Sequence, residues 1–411
     1  MPTDRRTFFK HTAGSLAAAV ILPDLGLANI PRGRAQVPIG VIGVGRHGRA
    51  IIGELQKFEQ AKVAALCDTE ATRLQAGLRR AAGAEGFADY RELLDKRKDV
   101  EAVVIATPTH LHKDVALACI QAGKHVYLEA PIASTVEDCT AIAQAARGSS
   151  KVFHVGLLAR SNPIYKLART FFRSDAVRDL VGMRGQSNQK TAWRNPASGP
   201  DQERALNWHL DPAVSIGLSG EMGTHQFDVF HWYLGRYPVE VRGRGGVRFH
   251  DDGRTMHDTI WATLAWEDGA TLLYEATIAN SYEGKHEVLH GSNATIKLAW
   301  TAGWMFKEAD APTQGWEVYA NRQQFHNDEG ITLIADATKL AAQGKLKEGV
   351  GLPNPPLYYG LADFLVSVTE GKPAVCSADE GLRASVVGIM CHKAVTTGET
   401  VKIDPGLLKG A

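Results

Sequence analysis

Glu221, His225 and Asp228 fall within the run Glu221-Met222-Gly223-Thr224-His225-Gln226-Phe227-Asp228, which leads into an apolar helix ending at Leu234-Gly235. At helical spacing these three side chains share one face with Trp232. A carboxylate four residues from a histidine can orient the imidazole and raise its basicity, which a general base needs. Two other readings of the triplet compete. It could be a satisfied polar face packed on a neighbouring domain, or Glu-x3-His-x2-Asp could supply three metal ligands. No fourth ligand accompanies them, so we read no metal site. A second constellation opens the chain's first structured region. Gly43-Val44-Gly45-Arg46-His47-Gly48 can cradle a pyrophosphate: Gly43 permits the tight turn, Gly45 the close approach of backbone to phosphate, and Gly48 tight packing of helix on strand. Asp68, 20 residues beyond Gly48, can accept from both ribose hydroxyls and would repel a 2′-phosphate. The constellation predicts a dinucleotide site that takes NAD rather than NADP.

The elements around these residues support that placement. Val37 to Ile42 reads as a buried parallel strand and Arg49 to Phe58 as a helix, followed by a strand over Lys62–Cys67 that ends at Asp68. Val100 to Ala106 is a further core strand, stopping at Thr107-Pro108. Thr109 to Ala122 reads as a helix, Val126 to Leu128 as a strand, and Val152 to Gly156 as another. Ser134-Thr135-Val136-Glu137 has capping-box spacing and opens a helix to about Arg147. Strands alternating with helices imply a doubly wound parallel sheet, whose ligands bind at the carboxyl ends of the strands. Thr107-Pro108 and Glu129-Ala130-Pro131 then lie beside the nicotinamide, with His110 and His112 shaping the loop beneath it.

After Gly156 the texture changes. Thr259 to Trp266 alternates, Asp268-Gly269 signals a hairpin, and Ala270 to Ile278 returns. Val239–Val247 and Ala294–Leu298 also read as strands, so we expect a mostly antiparallel open sheet with one face covered. Gly303 to Pro356 reads as loops, and Leu357–Thr369 and Ala378–Thr396 as closing helices. The fold class is α/β: a signal or pro-segment over 1–35, a Rossmann domain over 36–157, and an α/β substrate and oligomerisation domain over 158–411, with closing helices within 357–396.

Composition narrows the function classes. The chain has 411 residues, 44% hydrophobic and 22% charged, which excludes disorder and low complexity. Its formal net charge of +1 leaves no electrostatic footprint for nucleic acid. The five cysteines are scattered and form neither a disulfide framework nor a zinc site; they read as small buried hydrophobes. Asp4-Arg5-Arg6-Thr7-Phe8-Phe9-Lys10 is a twin-arginine pattern, followed by an Ala-rich stretch from Ala13 to Leu22. That stretch falls short of the roughly 20 apolar residues that span a bilayer. We therefore expect export to the periplasm or outside, cleavage between Ala28 and Ala35, and no membrane anchor after signal removal.

Taken together, Gly43-x-Gly45-x-x-Gly48, Ala106-Thr107-Pro108…His112, Ala122-Gly123-Lys124-His125-Val126-Tyr127-Leu128-Glu129-Ala130-Pro131, Gly223-x-His225-x-x-Asp228 and the tail Gly371-Lys372-Pro373…Gly398-Glu399-Thr400-Val401 make the chain resemble the glucose–fructose oxidoreductase/inositol dehydrogenase (Gfo/Idh/MocA) family. The resemblance implies a sheet-faced second domain, homo-oligomers (dimers or tetramers) built through that sheet, and hydride transfer between a nicotinamide and a sugar-like carbinol. Two departures from the family pattern matter. Ala130 stands where the family usually has a lysine that hydrogen-bonds the reacting oxygen, and Glu221 where it usually has aspartate. Losing the lysine would forfeit about 2–4 kcal/mol if it acted as an oxyanion donor, so His225 would need help from another group. Arg160, Lys190, Trp193, Arg194, Asn207 and His209 lie in segments that could line a sugar cleft, although each also has an ordinary surface or core reading. We expect an NAD-dependent oxidoreductase acting on a small carbohydrate. The alternatives are an NAD-dependent glycosidase working by transient oxidation, and a non-catalytic sugar- or nucleotide-binding protein.

Overall fold

The computed structural model describes residues 36–409, apart from 175, 316, 318–319, 326–327, 336–339, 341–342 and 344–349; the twin-arginine segment lies outside the described residues. The first domain is a six-stranded parallel sheet. Its strands are β1 (Val37–Ile42), β2 (Ala61–Cys67), β3 (Glu85–Phe87), β4 (Ala102–Ile105), β5 (His125–Leu128) and β6 (Phe153–Val155), in the order β3-β2-β1-β4-β5-β6. β1 and β4 are apolar on both faces because helices cover both, so each strand is a continuous hydrophobic run. The order reverses between β1 and β4, which opens a crevice at their carboxyl ends.

The helices begin where their caps dictate. α1 (Arg46–Leu55) starts three residues earlier than the sequence pattern suggests, directly at the glycine loop, with Gly45 as its N-cap. α2 (Ala71–Leu78), α3 (Tyr90–Lys96) and α4 (His112–Gln121) follow. α5 (Val136–Arg147) is capped by Thr135, whose side chain accepts from the Asp138 N–H. The predicted capping box is thus displaced by one residue, because Thr135 and not Ser134 takes the extended conformation at the helix start.

The second domain carries a ten-stranded sheet, mostly antiparallel. After α6 (Pro163–Arg173), its strands and helices are β7 (Leu180–Asn188), α7 (Pro200–Leu206), α8 (Thr224–Leu234), β8 (Glu240–Gly246), β9 (Thr259–Ala265), β10 (Thr271–Thr277), β11 (Lys285–Gly291), β12 (Ala294–Ala299), β13 (Ala302–Lys307), β14 (Arg322–Phe325) and β15 (Asp328–Thr332). α9 (Pro356–Glu370), α10 (Ala378–Thr397) and β16 (Val401–Lys402) close the chain. The order is β14-β15-β13-β12-β11-β7-β10-β9-β8-β16, and β7 and β10 are parallel. The β9–β10 hairpin turns at Asp268-Gly269 as its sequence requires. The region from Gly303 to Pro356 corrects the loop reading: β13, β14 and β15 extend the sheet there, short strands that lack a sustained alternating pattern.

α8 and α10 cover one sheet face, while Val181, Trp261 and Leu273 stand exposed on other strands. α9 turns back to the first domain, burying Leu357, Leu361, Phe364 and Leu365 in one cluster with Ile39, Val41 and Ile52. All five cysteines are free and buried. No helix among the described residues is long and apolar enough to cross a membrane.

One buried charge ties the segment leaving the first domain to the helices of the second. Arg160 follows β6 and donates from Nε and Nη2 to the Asp228 carboxylate on α8, at 2.9 and 2.7 Å, and from Nη2 to Glu380 on α10 at 2.8 Å. Arg160 and Asp228 are 6% and 1% exposed. This corrects two sequence readings. Arg160 is not free to line a sugar cleft and Asp228 is not free for proton transfer, because each neutralises the other out of water. Asp228→Asn should therefore cost up to about 3–5 kcal/mol, because Glu380 alone is left to offset the buried guanidinium, whereas Arg160→Met with Asp228→Leu should cost less. Urea unfolding of the three proteins measures both.

Candidate active site

The glycine loop is shaped by its own backbone. A Cβ on Gly43 would come within 2.4 Å of the Ala106 carbonyl oxygen, and one on Gly48 within 1.9 Å of the Gly43 carbonyl oxygen. Gly43 also sits at φ +92. A Cβ on Gly45, by contrast, would meet nothing nearer than Arg73 Nη1 at 4.0 Å. The loop thus leaves an open approach at Gly45, with the start of α1 behind it and no side chain capping its N–H groups. That is a cradle of the shape and polarity a pyrophosphate needs. Asp68 accepts from the Val44 N–H at 2.7 Å and from the Glu70 N–H at 2.9 Å, so it fixes the loop from the ribose side and keeps further lone pairs for hydroxyls. Arg46 and His47 are exposed on the outer rim. His47 Nε2 lies 2.9 Å from Glu129 Oε1, and that carboxylate raises the His47 pKa.

The far end of the groove is built from two loops. His112, buried, has its ring nitrogens 2.9 Å from the Pro131 and Thr107 carbonyl oxygens, so it clasps the Thr107-Pro108 turn to Glu129-Ala130-Pro131. It shapes the loop and does not face the groove. Across from it, Ser219–Gly223 forms a π-helical turn that runs directly into α8. This turn corrects the expected carboxylate–histidine pair. Wider than an α-turn, it rotates Glu221 off the His225 face, and Glu221 Oε2 accepts instead from Thr109 Oγ1 at 2.9 Å.

Burial drives the two groups to the same uncharged state. It pushes Glu221 up to about 8. His225 falls to about 4 through burial first and the Lys285 charge second, opposed by Glu129 and by the Ala130 carbonyl. Both are therefore neutral near pH 7, an acid and a base held apart by the site. Among the described residues, Thr107 Oγ1, His110 Nδ1, Glu221 Oε1, His225 Nδ1 and Trp300 Nε1 are buried without a hydrogen-bond partner. Orphaned polar atoms on both walls of one cleft are the mark of a ligand site.

The remaining candidates divide. Trp193 packs on His209 at 4.7 Å between ring centroids, His209 stacks on Trp208 at 3.7 Å, and Trp208 faces His110 at 5.7 Å. These rings form a row from the second domain to the nicotinamide loop, and burial lowers His209 to about 4. Arg194 and Asn207 are instead spent on their own loop: Arg194 pairs with Asp252 and Glu203, and Asn207 bonds to Asn195 and Glu203. Lys190 lies over Phe249, 4.9 Å from the ring centroid, with no tie to the cleft residues. Sequence reasoning missed Thr109, Trp208, Lys285 and Trp300; only Trp208, next to His209, carried a local signal. Among the described residues, no group of three or more His, Cys, Asp or Glu could hold a metal ion.

A Rossmann crevice with this cradle, facing a histidine on a second sheet-backed domain, defines a nicotinamide-dependent oxidoreductase. Residues 37–157 match the NAD-binding Rossmann fold of the oxidoreductase family and residues 190–403 its C-terminal alpha/beta domain. The chain belongs to the Gfo/Idh/MocA oxidoreductase family. Among relatives, myo-inositol 2-dehydrogenase of Thermotoga maritima is 24% identical over 369 residues, covering 89% of this chain and 98% of that one. A glycosyl hydrolase family 109 protein of Shewanella amazonensis is 34% identical over 159 residues, 33% of this chain and 35% of that one. A levoglucosan dehydrogenase solved with NADH and levoglucosan superposes with a TM-score of 0.71 at 20% identity, covering 90% of this chain and 99% of that one.

Two outcomes test the site. Asp68→Ala should weaken NAD at least about tenfold and NADP less, because only the ribose hydroxyls lose an acceptor while the 2′-phosphate loses a repulsion; parallel titrations of the two cofactors decide it. Glu221 is held protonated in the fold, so its contribution to stability is present below about pH 4.5 and is lost as pH rises through about 8. Wild type should lose up to several kcal/mol between pH 5 and pH 9, and Glu221→Gln should remove the Glu221 part of that slope in urea melts, leaving the part from Glu287, which burial lifts to about 7.

Proposed function

We propose that this enzyme oxidises a sugar or sugar derivative at a ring carbinol and keeps its NAD through the catalytic cycle. The observation that carries this is His225: a buried, neutral imidazole with a free Nδ1, on the wall facing the Glu129-Ala130-Pro131 loop. NAD, held by the Gly43–Gly48 loop and Asp68, would supply the hydride acceptor for the substrate's C–H. His225 takes the hydroxyl proton, and Glu221, protonated and tied to Thr109, holds the opposite wall without adding charge. The row Trp193–His209–Trp208 offers ring faces to sugar C–H surfaces. The relatives named for inositol and levoglucosan oxidation support a polyhydroxylated ring as substrate.

Export supports cofactor retention. The Arg5-Arg6 pattern suits a protein that folds around its cofactor before leaving the cytoplasm, and free nicotinamide cofactor is scarce outside. A retained cofactor must be regenerated in place. Either a second sugar is reduced, or the same sugar is oxidised, loses its glycosidic group, gains water and is reduced again. The second route makes the protein a glycosidase. Ala130 favours it, since the usual lysine is absent, and the family 109 relative points the same way. Assembly as a homo-oligomer through the exposed sheet face around Trp261 and Leu273 completes the proposal.

The test is turnover of glycosides and free sugars in D2O, with NADH absorbance followed. Multiple turnovers without NADH accumulation support internal recycling, and ring deuterium in the released sugar supports the glycosidase. Steady NADH formation from a free sugar, with no deuterium gained, makes this a plain dehydrogenase. His225→Ala should lower kcat at least about 100-fold with NAD still bound; full activity in that variant removes His225 as the base.

A further inference from the structure

Lys285 is the first residue of β11 and reaches the site from an element remote from every motif. Its side chain leaves the sheet on the same face as Glu287, two residues on, and Glu287 Oε1 accepts from Gln226 Nε2 of α8 at 2.9 Å. That face looks toward α8, which carries His225. The Lys285 ammonium lies 5.3 Å from the centroid of the Trp300 ring, and that ring lies 6.3 Å from the His225 ring. Trp300 is firmly placed: its N–H donates to Tyr165 Oη at 3.1 Å, and its carbonyl accepts from Asn162 Nδ2 at 2.5 Å.

Glu287, the acidic group that acts on Lys285, forms no ion pair with it. Glu287 is committed to Tyr165 Oη at 2.6 Å and to Gln226, and burial lifts it to about 7. Among the described residues, no oxygen accepts a hydrogen bond from Lys285 Nζ. A half-buried Lys285 head held over an aromatic face, with no oxygen bonded to it, is poised for an anionic or hydroxyl oxygen arriving in the cleft.

We propose that Lys285 is a catalytic residue that supplies, from the second domain, the cation the reacting oxygen lacks because position 130 is alanine. The inference rests on the proposed carbinol oxidation and deepens it by naming the donor. As His225 takes the hydroxyl proton and the C–H leaves as hydride, negative charge develops on the oxygen, and Lys285 Nζ donates a hydrogen bond to it. No bond to Lys285 forms or breaks. The charged and titratable groups acting on His225 are Lys285, Glu129 and His47; burial lowers the Lys285 pKa and Glu287 opposes that shift.

Lys285→Met keeps the aliphatic stem and removes the charge. On the holoenzyme, kcat should fall about 100- to 1,000-fold, the size of a lost oxyanion donor, with NAD affinity unchanged. Adding Ala130→Lys to Lys285→Met should recover at least about tenfold of that by supplying the cation from the other wall. Independently of any substrate, the His225 imidazole, assigned by comparison with His225→Ala in NMR titrations, should protonate at higher pH in Lys285→Met than in wild type. Retention of wild-type kcat in Lys285→Met, or an unmoved His225 titration, overturns the proposal. If wild type oxidises no carbohydrate at all, the functional reading falls, and the His225 titration alone still decides whether Lys285 governs the site.

Discussion

The Arg160 guanidinium sits where the segment leaving the first sheet meets α8 and α10, and its charge is tolerable there only because Asp228 and Glu380 both face it. Burying an ion is expensive, and the return comes only when the geometry is met in full. The pair therefore does more than join surfaces. Asp228 is three residues beyond His225 on the same helix, so locking Asp228 against Arg160 sets the rotation of α8 about its axis. Gln226 adds a second constraint, donating from Nε2 to the backbone of β7 and β11 as well as to Glu287. With the helix fixed in rotation and in height over the sheet, His225 is aimed at the nicotinamide loops without a hydrogen bond of its own at Nδ1.

Within that frame the cleft is poor in charge. Burial acts in opposite directions on an acid and a base, lifting Glu221 and depressing His225, and leaves both neutral. At the rim His47 pairs with Glu129, and Lys285 stands on the second-domain side. In a low-dielectric pocket an isolated charge acts over a longer range than it would in water, so the few that remain carry most of the electrostatic influence on a bound ligand.

Much of the first domain was legible because β1 and β4 are continuous apolar runs and the glycine loop and helix caps mark the turns, whereas β3, Glu85-Gly86-Phe87, is too short and polar to read as a strand. The second sheet was legible only in part. The β9–β10 hairpin alternates and turns at Asp268-Gly269, but β7 and β11 carry Arg184, Gln186, His286 and Glu287, which blur the pattern. Glu287 can be buried there because Tyr165 and Gln226 satisfy it, an arrangement that no local window of sequence reveals. The site followed the same rule. His225 and the glycine loop could be read from spacing. The expected Glu221 partnership could not survive a π-helical turn, and the Arg160–Asp228 pair joins residues 68 positions apart. Lys285 comes from a strand and Trp300 from a hairpin tip whose neighbours in sequence say nothing of the cleft.

Trp300 stands at the tip of the β12–β13 hairpin, where Ala299 pairs with Ala302 and its own backbone is left-handed at φ 55, a conformation that tryptophan seldom adopts. Side chains alternate with a period of two along a strand, so one residue gained or lost at this tip would turn the whole following strand inside out. The hairpin is in that sense a ruler. Its length sets how far the Trp300 ring reaches from the sheet toward His225, whose ring lies 6.3 Å away.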